Sequence, residues 1–433
     1  MKTRTLLYSA SVFALAIVAL QAADKIDTKN LVTGKAAFAD AKDLKPGTYH
    51  KITAADLPKP FETPSGRGFG PVAARGDLMP KAPAGFKVEL YAEVTAEGKA
   101  ASPRKIITAP NGDLFTALSN QNMVAVYRGL KDGKFEQTSI FATGLNRPYG
   151  IAFYPSGANP QWVYVANTNG IVRFPYKNGD LKATAAAQVL ASDLPAGANH
   201  WTRDIVFSKD GKRLFVAVGS ASNFDDPDTH PSEKNRANVL EYTPEGKFVK
   251  VYAAGIRNPA GMNLNPTTGE VWVSVNERDE LGDNLVPDYI TSVKEGGFYG
   301  WPWYYIGGNP EPRLNGAHPE MKDKVIVPDV LIQPHSASLA FTFYDGKMFP
   351  AEYQGDLFAA EHGSWNRAVK SGHEVVRVPL EKGKASGVYQ DFLTGFTNAQ
   401  GQPWGRPVGV AVGKDGSLFV TDDGANVIWR VSR

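Results

Sequence analysis

The sequence contains no cysteine and little helical periodicity, and each absence narrows the possible functions. Without cysteine the chain has no disulfides, no thiolate metal site and no Cys-x-x-Cys-His motif for covalent haem. No run of lysine and arginine is present and the formal net charge is only +3, which argues against nucleic-acid binding. Scarce helical periodicity, with 43 glycines and 30 prolines, favours an all-β protein with many turns.

The N-terminus has the pattern of an export signal. Lys2 and Arg4 precede an apolar stretch at residues 6–20, which is too short and too N-terminal for a membrane span. We therefore expect residues 1–22 to be a signal peptide cleaved after Ala22. The mature protein would then be periplasmic or secreted, with no stable membrane insertion. A retained N-terminal anchor is the alternative.

Two further regions follow the signal. Residues 23–84 show little alternation and are rich in proline, glycine, lysine and alanine, which predicts an irregular leader packed on the surface of the main domain. A flexible tether to the cell envelope is the competing interpretation. We expect residues 85–433 to form the main domain, which begins and ends with alternating strands at residues 85–91 and 426–431. We expect these two strands to complete one sheet together.

The main domain is organised around a recurring phrase in which a basic residue and turn-formers precede an apolar run. The phrase begins at six positions, namely Arg104, Arg147, Arg203, Arg257, His335 and Arg406. Several copies continue through an Asn-Gly or Asp-Gly pair into a second apolar run, as at Gly112, Gly211 and Gly416. Such pairs tolerate the positive φ that tight hairpins require. Six repeated units of this kind predict a six-bladed β-propeller.

The repeat also predicts where the chemistry lies. If each phrase opens the innermost strand of its blade, the six basic residues approach one end of the central channel. Like charges repel, so such a ring implies either a bound anion or paired carboxylates. Arg147 and Arg203 are candidate ligand-binding residues on this ground. Any one of these arginines could instead pair with a surface aspartate.

His200 precedes the innermost strand of the third unit, at the predicted channel mouth. Its near-neutral pKa suits general-base catalysis, and a structural histidine is the alternative. The fourth unit contributes a loop at residues 276–284 that is rich in oxygen donors and includes Glu277, Arg278 and Asp283. Carboxylates and backbone carbonyls in such a loop could hold Ca²⁺. The carboxylates of another loop, at residues 222–230, also suggest a cation, but their spacing is not that of an EF-hand loop, and we predict a solvated loop there.

The fifth unit places four unusual side chains in one short loop: His362, Trp365, Asn366 and Arg367. An aromatic side chain could cover a planar ligand while Asn366 and Arg367 bond its edges. A purely structural turn rarely collects these residue types. We therefore predict that this loop belongs to the ligand-binding site.

At these residues the chain resembles the soluble quinoprotein glucose/sorbosone dehydrogenases, which are six-bladed propellers that use pyrroloquinoline quinone and Ca²⁺. The match is strongest around His200, in Arg257-Asn258-Pro259, in the segment 296–302 and in Gly405-Arg406. The segment 361–367 is similar to the sorbosone (pyranose) dehydrogenase branch. Pyrroloquinoline quinone is a flat tricarboxylate, and a basic ring suits such an anion.

The resemblance implies roles for individual residues. Arg257, Asn258 and Arg406 match cofactor-contacting positions, and the loop around Glu277 and Arg278 matches the segment that helps hold the Ca²⁺. His200 matches the base that takes the substrate hydroxyl proton. The implied activity is oxidation of a sugar or aldehyde, with electrons passed to an external acceptor such as a cytochrome or a quinone. A metal-dependent propeller lactonase and a non-catalytic binding propeller are the alternatives.

Overall fold

The computed structural model describes residues 25–68, 70–131 and 134–433, so the predicted signal peptide lies outside the described residues. Six antiparallel sheets surround a central channel, which confirms the predicted six-bladed β-propeller. The first strand of each blade contacts the first strand of the next, and the contacts close into a ring. Within the described ranges no helix is long or apolar enough to cross a bilayer.

Each of the first three blades is a four-stranded sheet whose strands follow one another along the chain. Blade 1 consists of Ile106–Thr108, Leu114–Leu118, Met123–Arg128 and Gln137–Ala142. Blade 2 consists of Ile151–Tyr154, Trp162–Asn167, Gly170–Pro175 and Gln188–Ala191. Blade 3 consists of Ile205–Phe207, Leu214–Val218, Asn238–Tyr242 and Phe248–Ala254.

The other three blades carry insertions or strands from elsewhere in the chain. Blade 4 consists of Asn258–Leu264, Val271–Asn276, Tyr289–Ser292 and Val330–Leu331. Blade 5 consists of Ser338–Phe343, Leu357–Glu361, Glu374–Val378 and Val388–Leu393. Blade 6 consists of Pro407–Val412, Leu418–Asp422, Val427–Ser432 and, from the start of the domain, Lys87–Glu93.

Short elements complete the described part of the chain. Three two-stranded ladders pair Thr95–Ala96 with Lys99–Ala100, Tyr304–Tyr305 with Asn309–Pro310, and Leu380–Glu381 with Lys384–Ala385. The helices are short 3₁₀ turns at Thr28–Asn30, Gly34–Ala37, Ala41–Asp43, Ala54–Asp56, Ser119–Gln121, Pro231–Glu233, Pro312–Leu314, Pro319–Lys324 and Ala351–Tyr353.

The hairpins form where the sequence predicts them. Gly112, Gly211 and Gly416 all have positive φ, at 100°, 70° and 87°. A side chain is strained in that region, so the glycine lets the inner strand turn back at once. Buried apolar residues then pack between neighbouring blades, as Phe115, Phe141 and Phe174 do between blades 1 and 2. This repeated packing aligns the starts of all six inner strands at one rim of the channel.

Strand Lys87–Glu93 pairs antiparallel with the last strand, with Lys87 opposite Ser432. The expectation that the first and last strands complete one blade together is therefore confirmed. Their pairing closes the ring of blades.

The leader has more regular structure than its composition predicted. Strand Tyr49–Lys51 pairs antiparallel with the outer strand of blade 5, and strand Leu31–Thr33 pairs parallel with Tyr49–Lys51. Blade 5 is thereby extended to six strands. Each added strand has only three residues, too few to show an alternating pattern in the sequence.

Candidate functional site

A cavity of about 650 Å³ opens at the rim where the inner strands begin. Its walls come mainly from loops of blades 3, 4 and 5, with one arginine from blade 1. Among the residues that line it are Arg104, His200, Arg257, Asn258, His335 and His362. Three members of the basic ring thus reach the cavity directly.

His200 lies in the wall formed by blade 3. Its Nδ1 atom lies 2.9 Å from the backbone oxygen of Ser220 and 3.0 Å from the Ser220 hydroxyl. Because the carbonyl only accepts, we place the ring proton on Nδ1, which leaves Nε2 with a lone pair. Burial, with the nearby Arg257 charge, lowers the pKa of His200 to about 3. The ring is therefore neutral at physiological pH, and the lone pair of Nε2 is not protonated.

Arg257 is buried in the cavity wall next to His200. Its guanidinium donates to the side-chain and backbone oxygens of Asn223, at 2.9 and 3.2 Å, and to the backbone oxygen of Glu277 at 2.6 Å. The Asp279 carboxylate lies 3.4 Å away. Arg257 therefore ties the blade 3 loop to the blade 4 loop. The neighbouring Asn258 has a buried side-chain oxygen with no hydrogen-bond partner among the described residues.

The Asp279 carboxylate lies between two cationic groups of the ring. His335 Nδ1 is 3.5 Å from Asp279 Oδ1, and His335 Nε2 is 3.0 Å from the backbone oxygen of Gly282. Burial by itself would lower the pKa of His335, but the hydrogen bond and charge of Asp279 raise it above its ordinary value. Sequence reasoning did not select Asp279, because it stands in a loop where any of several acids could face inward.

The three predicted metal-binding residues do not converge. Glu277 lines the cavity; its Oε2 atom accepts from Arg278 Nε at 2.9 Å, while its buried Oε1 has no hydrogen-bond partner in the described part of the chain. Arg278 is fully buried and donates to the backbone oxygens of Pro302 and Tyr304, both at 2.7 Å. Asp283 accepts from the backbone N–H of Gly66 at 2.9 Å. Of the three, only Glu277 is among the residues that line the cavity.

The residues described by the structure bring three potential metal-ligating side chains together in one other place. Asp226, Asp228 and His318 have donor atoms within 4.8 Å of one another. Asp226 and Asp228 belong to the loop predicted to be solvated, and Asp228 is exposed. These residues do not line the cavity.

A second ionic cluster joins blades 1, 5 and 6. His362 Nε2 lies 2.8 Å from an oxygen of Asp423, and His362 Nδ1 lies 2.9 Å from Arg406 Nη2. Arg104 pairs with the other Asp423 oxygen at 2.5 Å. Burial and the Arg406 charge lower the pKa of His362 to about 4, so the ring is neutral and both nitrogens are engaged. Arg406 therefore reaches the cavity wall through His362.

Two other predicted arginines lie outside the cavity wall. Arg147 is exposed and stacks on Trp201, with its guanidinium carbon 3.9 Å from the ring centre. Arg203 is buried and donates to the backbone oxygens of Thr202 and His200, at 2.6 and 3.0 Å, and to that of Pro195. Arg203 therefore braces the segment that carries His200.

The loop of blade 5 divides its predicted residues between two environments. Trp365 lines the cavity and is 37% exposed, so its ring is available to a ligand. Asn366 is fully buried and donates to the backbone oxygen of Gly66 at 2.7 Å. Arg367 pairs with Asp40 at 3.0 Å and bonds Asn284 at 3.2 Å. Asn366 and Arg367 thus contact the leader and blade 4.

Three members of the basic ring, Arg104, Arg257 and His335, lie beside carboxylates of the protein. Asp423 pairs with Arg104 and His362, and Asp279 lies beside Arg257 and His335. The sequence left two explanations open for the basic ring, a bound anion or paired carboxylates, and the structure contains paired carboxylates. Lining residues with formal charge comprise two arginines and four acids: Arg104, Arg257, Glu277, Asp279, Glu280 and Asp288.

Comparisons with known proteins agree with this architecture. A "Glucose / Sorbosone dehydrogenase" family model matches residues 100–430. An uncharacterized protein of Borreliella burgdorferi is 31% identical over 363 residues, covering 81% of this chain and 90% of the relative. A pyrroloquinoline quinone-dependent pyranose dehydrogenase of Coprinopsis cinerea is 23% identical, and the match covers 76% of this chain and 52% of that protein.

The fold is similar to that of solved structures. The holo form of the pyranose dehydrogenase PQQ domain from Coprinopsis cinerea superposes with a TM-score of 0.67 at 20% identity, covering 84% of this chain and 100% of that domain. The region matched by the family model begins before the first inner strand of the propeller and ends in its last strand. Every residue of the cavity wall lies within this region. The chain therefore belongs to the glucose/sorbosone dehydrogenase family.

Proposed function

We propose that this protein is a quinoprotein dehydrogenase that oxidises a sugar or sugar aldehyde in the propeller cavity, using pyrroloquinoline quinone and Ca²⁺. The observation that carries the proposal is the neutral His200 ring beside Arg257 in a cavity of about 650 Å³. The family membership of the chain and the cofactor named for the Coprinopsis relative support the same chemistry.

The donor set of the cavity fits a hard cation. Asn258 Oδ1 and Glu277 Oε1 are buried acceptors without a hydrogen-bond partner among the described residues, and both residues line the cavity. Buried acceptors without partners are costly, and carboxylate and amide oxygens suit Ca²⁺. Glu277 and Asn258 are therefore the side chains that we assign to the metal. Arg278 and Asp283 are not retained as side-chain ligands.

The cavity fits the quinone together with that cation. Arg104, Arg257 and the His335 imidazole offset the lining acids, because burial raises the pKa of Asp288 to about 7 and leaves that acid partly protonated. A divalent cation would add positive charge to this wall, and Arg257 can then attract a carboxylate of the ligand. Trp365 offers an aromatic surface to a planar ring system. We retain Arg406 as an indirect contributor, because its guanidinium fixes His362 in the wall.

In the proposed mechanism the quinone, when bound, supplies the hydride acceptor. His200 supplies the base: its Nε2 lone pair takes the proton of the substrate hydroxyl, while the Ser220 carbonyl holds Nδ1–H and orients the ring. Arg203 keeps the His200 backbone in place through two carbonyl contacts within that segment. A positioned base of this kind contributes roughly 10²- to 10⁴-fold to the rate.

The proposal also covers the cellular location of the enzyme and its electron acceptor. We infer that the protein is exported to the periplasm or secreted, because residues 1–22 have the pattern of a signal peptide. Electrons would then pass to an external acceptor such as a cytochrome or a quinone. The open cavity rim, with Trp365 exposed, leaves room for such an exchange.

Reconstitution tests the proposal. Purified protein is incubated with Ca²⁺ and pyrroloquinoline quinone, and a panel of aldoses and keto-aldehydes is assayed with an artificial electron acceptor. We expect dye reduction that requires the quinone, and binding that quenches tryptophan fluorescence. Absence of quinone binding at micromolar concentration would refute the assignment.

A metal-dependent lactonase is the second candidate, and one observation favours it. Asn223, Asn258 and Asn276 line the same cavity as Glu277 and Asp279, which is an oxygen-rich donor set. Hydrolysis of lactones with Ca²⁺ but without the quinone would favour this alternative. Quinone-dependent dye reduction without such hydrolysis would exclude it.

A further inference from the structure

A segment of the leader, residues 61–68, lies against the blade 4 loop at residues 279–284. The backbone N–H of Phe61 donates to the Leu281 oxygen at 2.7 Å. The backbone N–H groups of Gly282 and Asp283 donate to the side-chain oxygens of Ser65 and Thr63, at 3.0 and 2.9 Å. The leader thus supplies hydrogen-bond partners for successive backbone groups of the blade 4 loop.

The same segment is bonded to the blade 5 loop at residues 363–370. Asn366 Nδ2 donates to the Gly66 oxygen at 2.7 Å, and the Lys370 ammonium donates to the Gly68 oxygen at 2.6 Å. The Asp283 carboxylate accepts from the backbone N–H groups of Gly66 and Ala368, at 2.9 and 3.2 Å. The leader therefore joins two loops that belong to different blades.

These contacts continue directly into the cavity wall. Asn366 Oδ1 accepts from the backbone N–H of Glu280 at 2.6 Å. Glu280 has a φ of 73°, a left-handed conformation that a residue with a side chain adopts at a cost, so it needs support from its neighbours. Asp279, the adjacent residue, faces Arg257 and His335 in the cavity. Trp365, which precedes Asn366, also lines the cavity.

We propose that residues 61–68 of the leader are a positioning element of the cavity, which holds the blade 4 and blade 5 loops in the geometry that binds the cofactor. Asn366 is then a positioning residue, since it bonds the leader at one end and Glu280 at the other. The effect of the leader on cofactor binding rests on the proposed function, whereas its effect on the positions of the two loops does not. Coupling is reciprocal, so a ligand in the cavity stabilises the leader as much as the leader stabilises the ligand.

Gly66 provides a test that touches no residue of the cavity wall. A Cβ atom at this position would lie 2.2 Å from the backbone nitrogen of Ala368, so Gly66→Ala must displace the leader. Asp77→Ala is the control, because Asp77 is an exposed residue of the same leader outside residues 61–68. Hydrogen exchange of the two loops is measured by mass spectrometry in both variants without ligand. We expect exchange at residues 279–284 and 363–370 to rise about tenfold in Gly66→Ala and to stay unchanged in Asp77→Ala.

Ligand binding is measured separately. We expect the dissociation constant of pyrroloquinoline quinone with Ca²⁺, followed by tryptophan fluorescence, to weaken about tenfold in Gly66→Ala. The saturated kcat should be retained, because none of these leader contacts involves His200. In the wild-type protein, quinone and Ca²⁺ should slow exchange at residues 61–68.

The outcomes separate the two proposals. Unchanged exchange of both loops in Gly66→Ala would overturn the positioning role, whatever the activity of the protein. Wild-type protein that binds no quinone would overturn the proposed function, and the exchange comparison would still decide the role of the leader. If Gly66→Ala does not fold, the double variant Thr63→Ala with Ser65→Ala removes two hydrogen-bond acceptors without adding volume and should give the same rise in exchange.

Discussion

The Nδ1 atom of His200 lies 2.9 Å from the backbone oxygen of Ser220. This contact fixes which ring nitrogen carries the proton, since a backbone carbonyl can only accept. The nitrogen that remains is the base in the proposed reaction. The position of the proton thus follows from the blade 3 backbone and needs no second charged residue.

Replacement of this base should slow catalysis without preventing ligand binding. We expect His200→Ala to lower kcat roughly 10²- to 10⁴-fold while the affinity for the quinone, measured by tryptophan fluorescence, changes little. His230→Ala is the matched control, because His230 is exposed on another loop and does not line the cavity. Full activity of His200→Ala would assign the proton transfer to another group.

The pH dependence of the rate supplies an independent check. Burial and Arg257 lower the pKa of His200 to about 3, so the ring stays neutral as the pH falls through its ordinary value. We therefore expect kcat/KM to show no loss near pH 6.5 attributable to this histidine. An acid limb near pH 6.5 that disappears in His200→Ala would contradict the assignment.

Calcium should be required for the quinone to bind. Asn258 Oδ1 and Glu277 Oε1 are buried acceptors without a partner among the described residues, and a divalent cation bound by them would add the positive charge that attracts the tricarboxylate. We expect the apo-protein to bind Ca²⁺ without quinone, and a chelator to abolish quinone binding, both by calorimetry. Quinone affinity that is equal with and without chelator would show that the arginines suffice.

Asp423 should be important for stability. It pairs with both Arg104 and His362, and the Arg104 and Asp423 side chains are only 11% and 14% exposed. Asp423→Asn keeps an oxygen acceptor but leaves Arg104 without its ion-pair partner, so we expect a loss of roughly 2–3 kcal/mol in urea unfolding. Asp77→Asn, at an exposed position, is the control and should change the free energy of unfolding by less than about 0.5 kcal/mol.

A buried acid in blade 5 predicts how stability varies with pH. Burial raises the pKa of Glu361 to about 8, so the folded protein holds a proton that the unfolded chain releases above about pH 4.5. Stability associated with Glu361 is present at low pH and is lost as the pH rises from about 5 to 8, by up to about 1.4 kcal/mol per pH unit.

The variant Glu361→Gln should remove this dependence, because an amide mimics the protonated acid. We expect its free energy of unfolding to rise relative to wild type as the pH increases over that range. Glu381→Gln, at an exposed position, should follow wild type at every pH. Parallel curves for wild type and Glu361→Gln would show that Glu361 is ionised in the folded protein.

The fold could be predicted from the sequence because its signals are local. Each Asn-Gly or Asp-Gly pair lies a few residues from the strands that it joins, so Gly112 or Gly211 identifies a hairpin by itself. Arg257 could be selected because it stands at the start of an inner strand of the repeat, and His200 because it shortly precedes another. The short leader strands could not be predicted, since their pairing depends on the edge of blade 5.

The partners of the basic residues could not be predicted for a different reason. Arg104 and Asp423 are 319 positions apart, and only closure of the ring brings them together. Arg203 occupies the same place in the repeat as Arg257, yet its side chain turns onto backbone carbonyls instead of the cavity. The repeat determines the backbone position of each residue. The direction of the side chain depends on its neighbours in the adjacent blade.

The closure of blade 6 has a consequence for biosynthesis. Strand Lys87–Glu93 leaves the ribosome long before its partner Val427–Ser432 is made. The ring stays open until residues 427–432 have been synthesised. A nascent chain stalled before residue 427 would therefore display an unsatisfied sheet edge to chaperones and proteases, and only synthesis of Val427–Ser432 would close the ring.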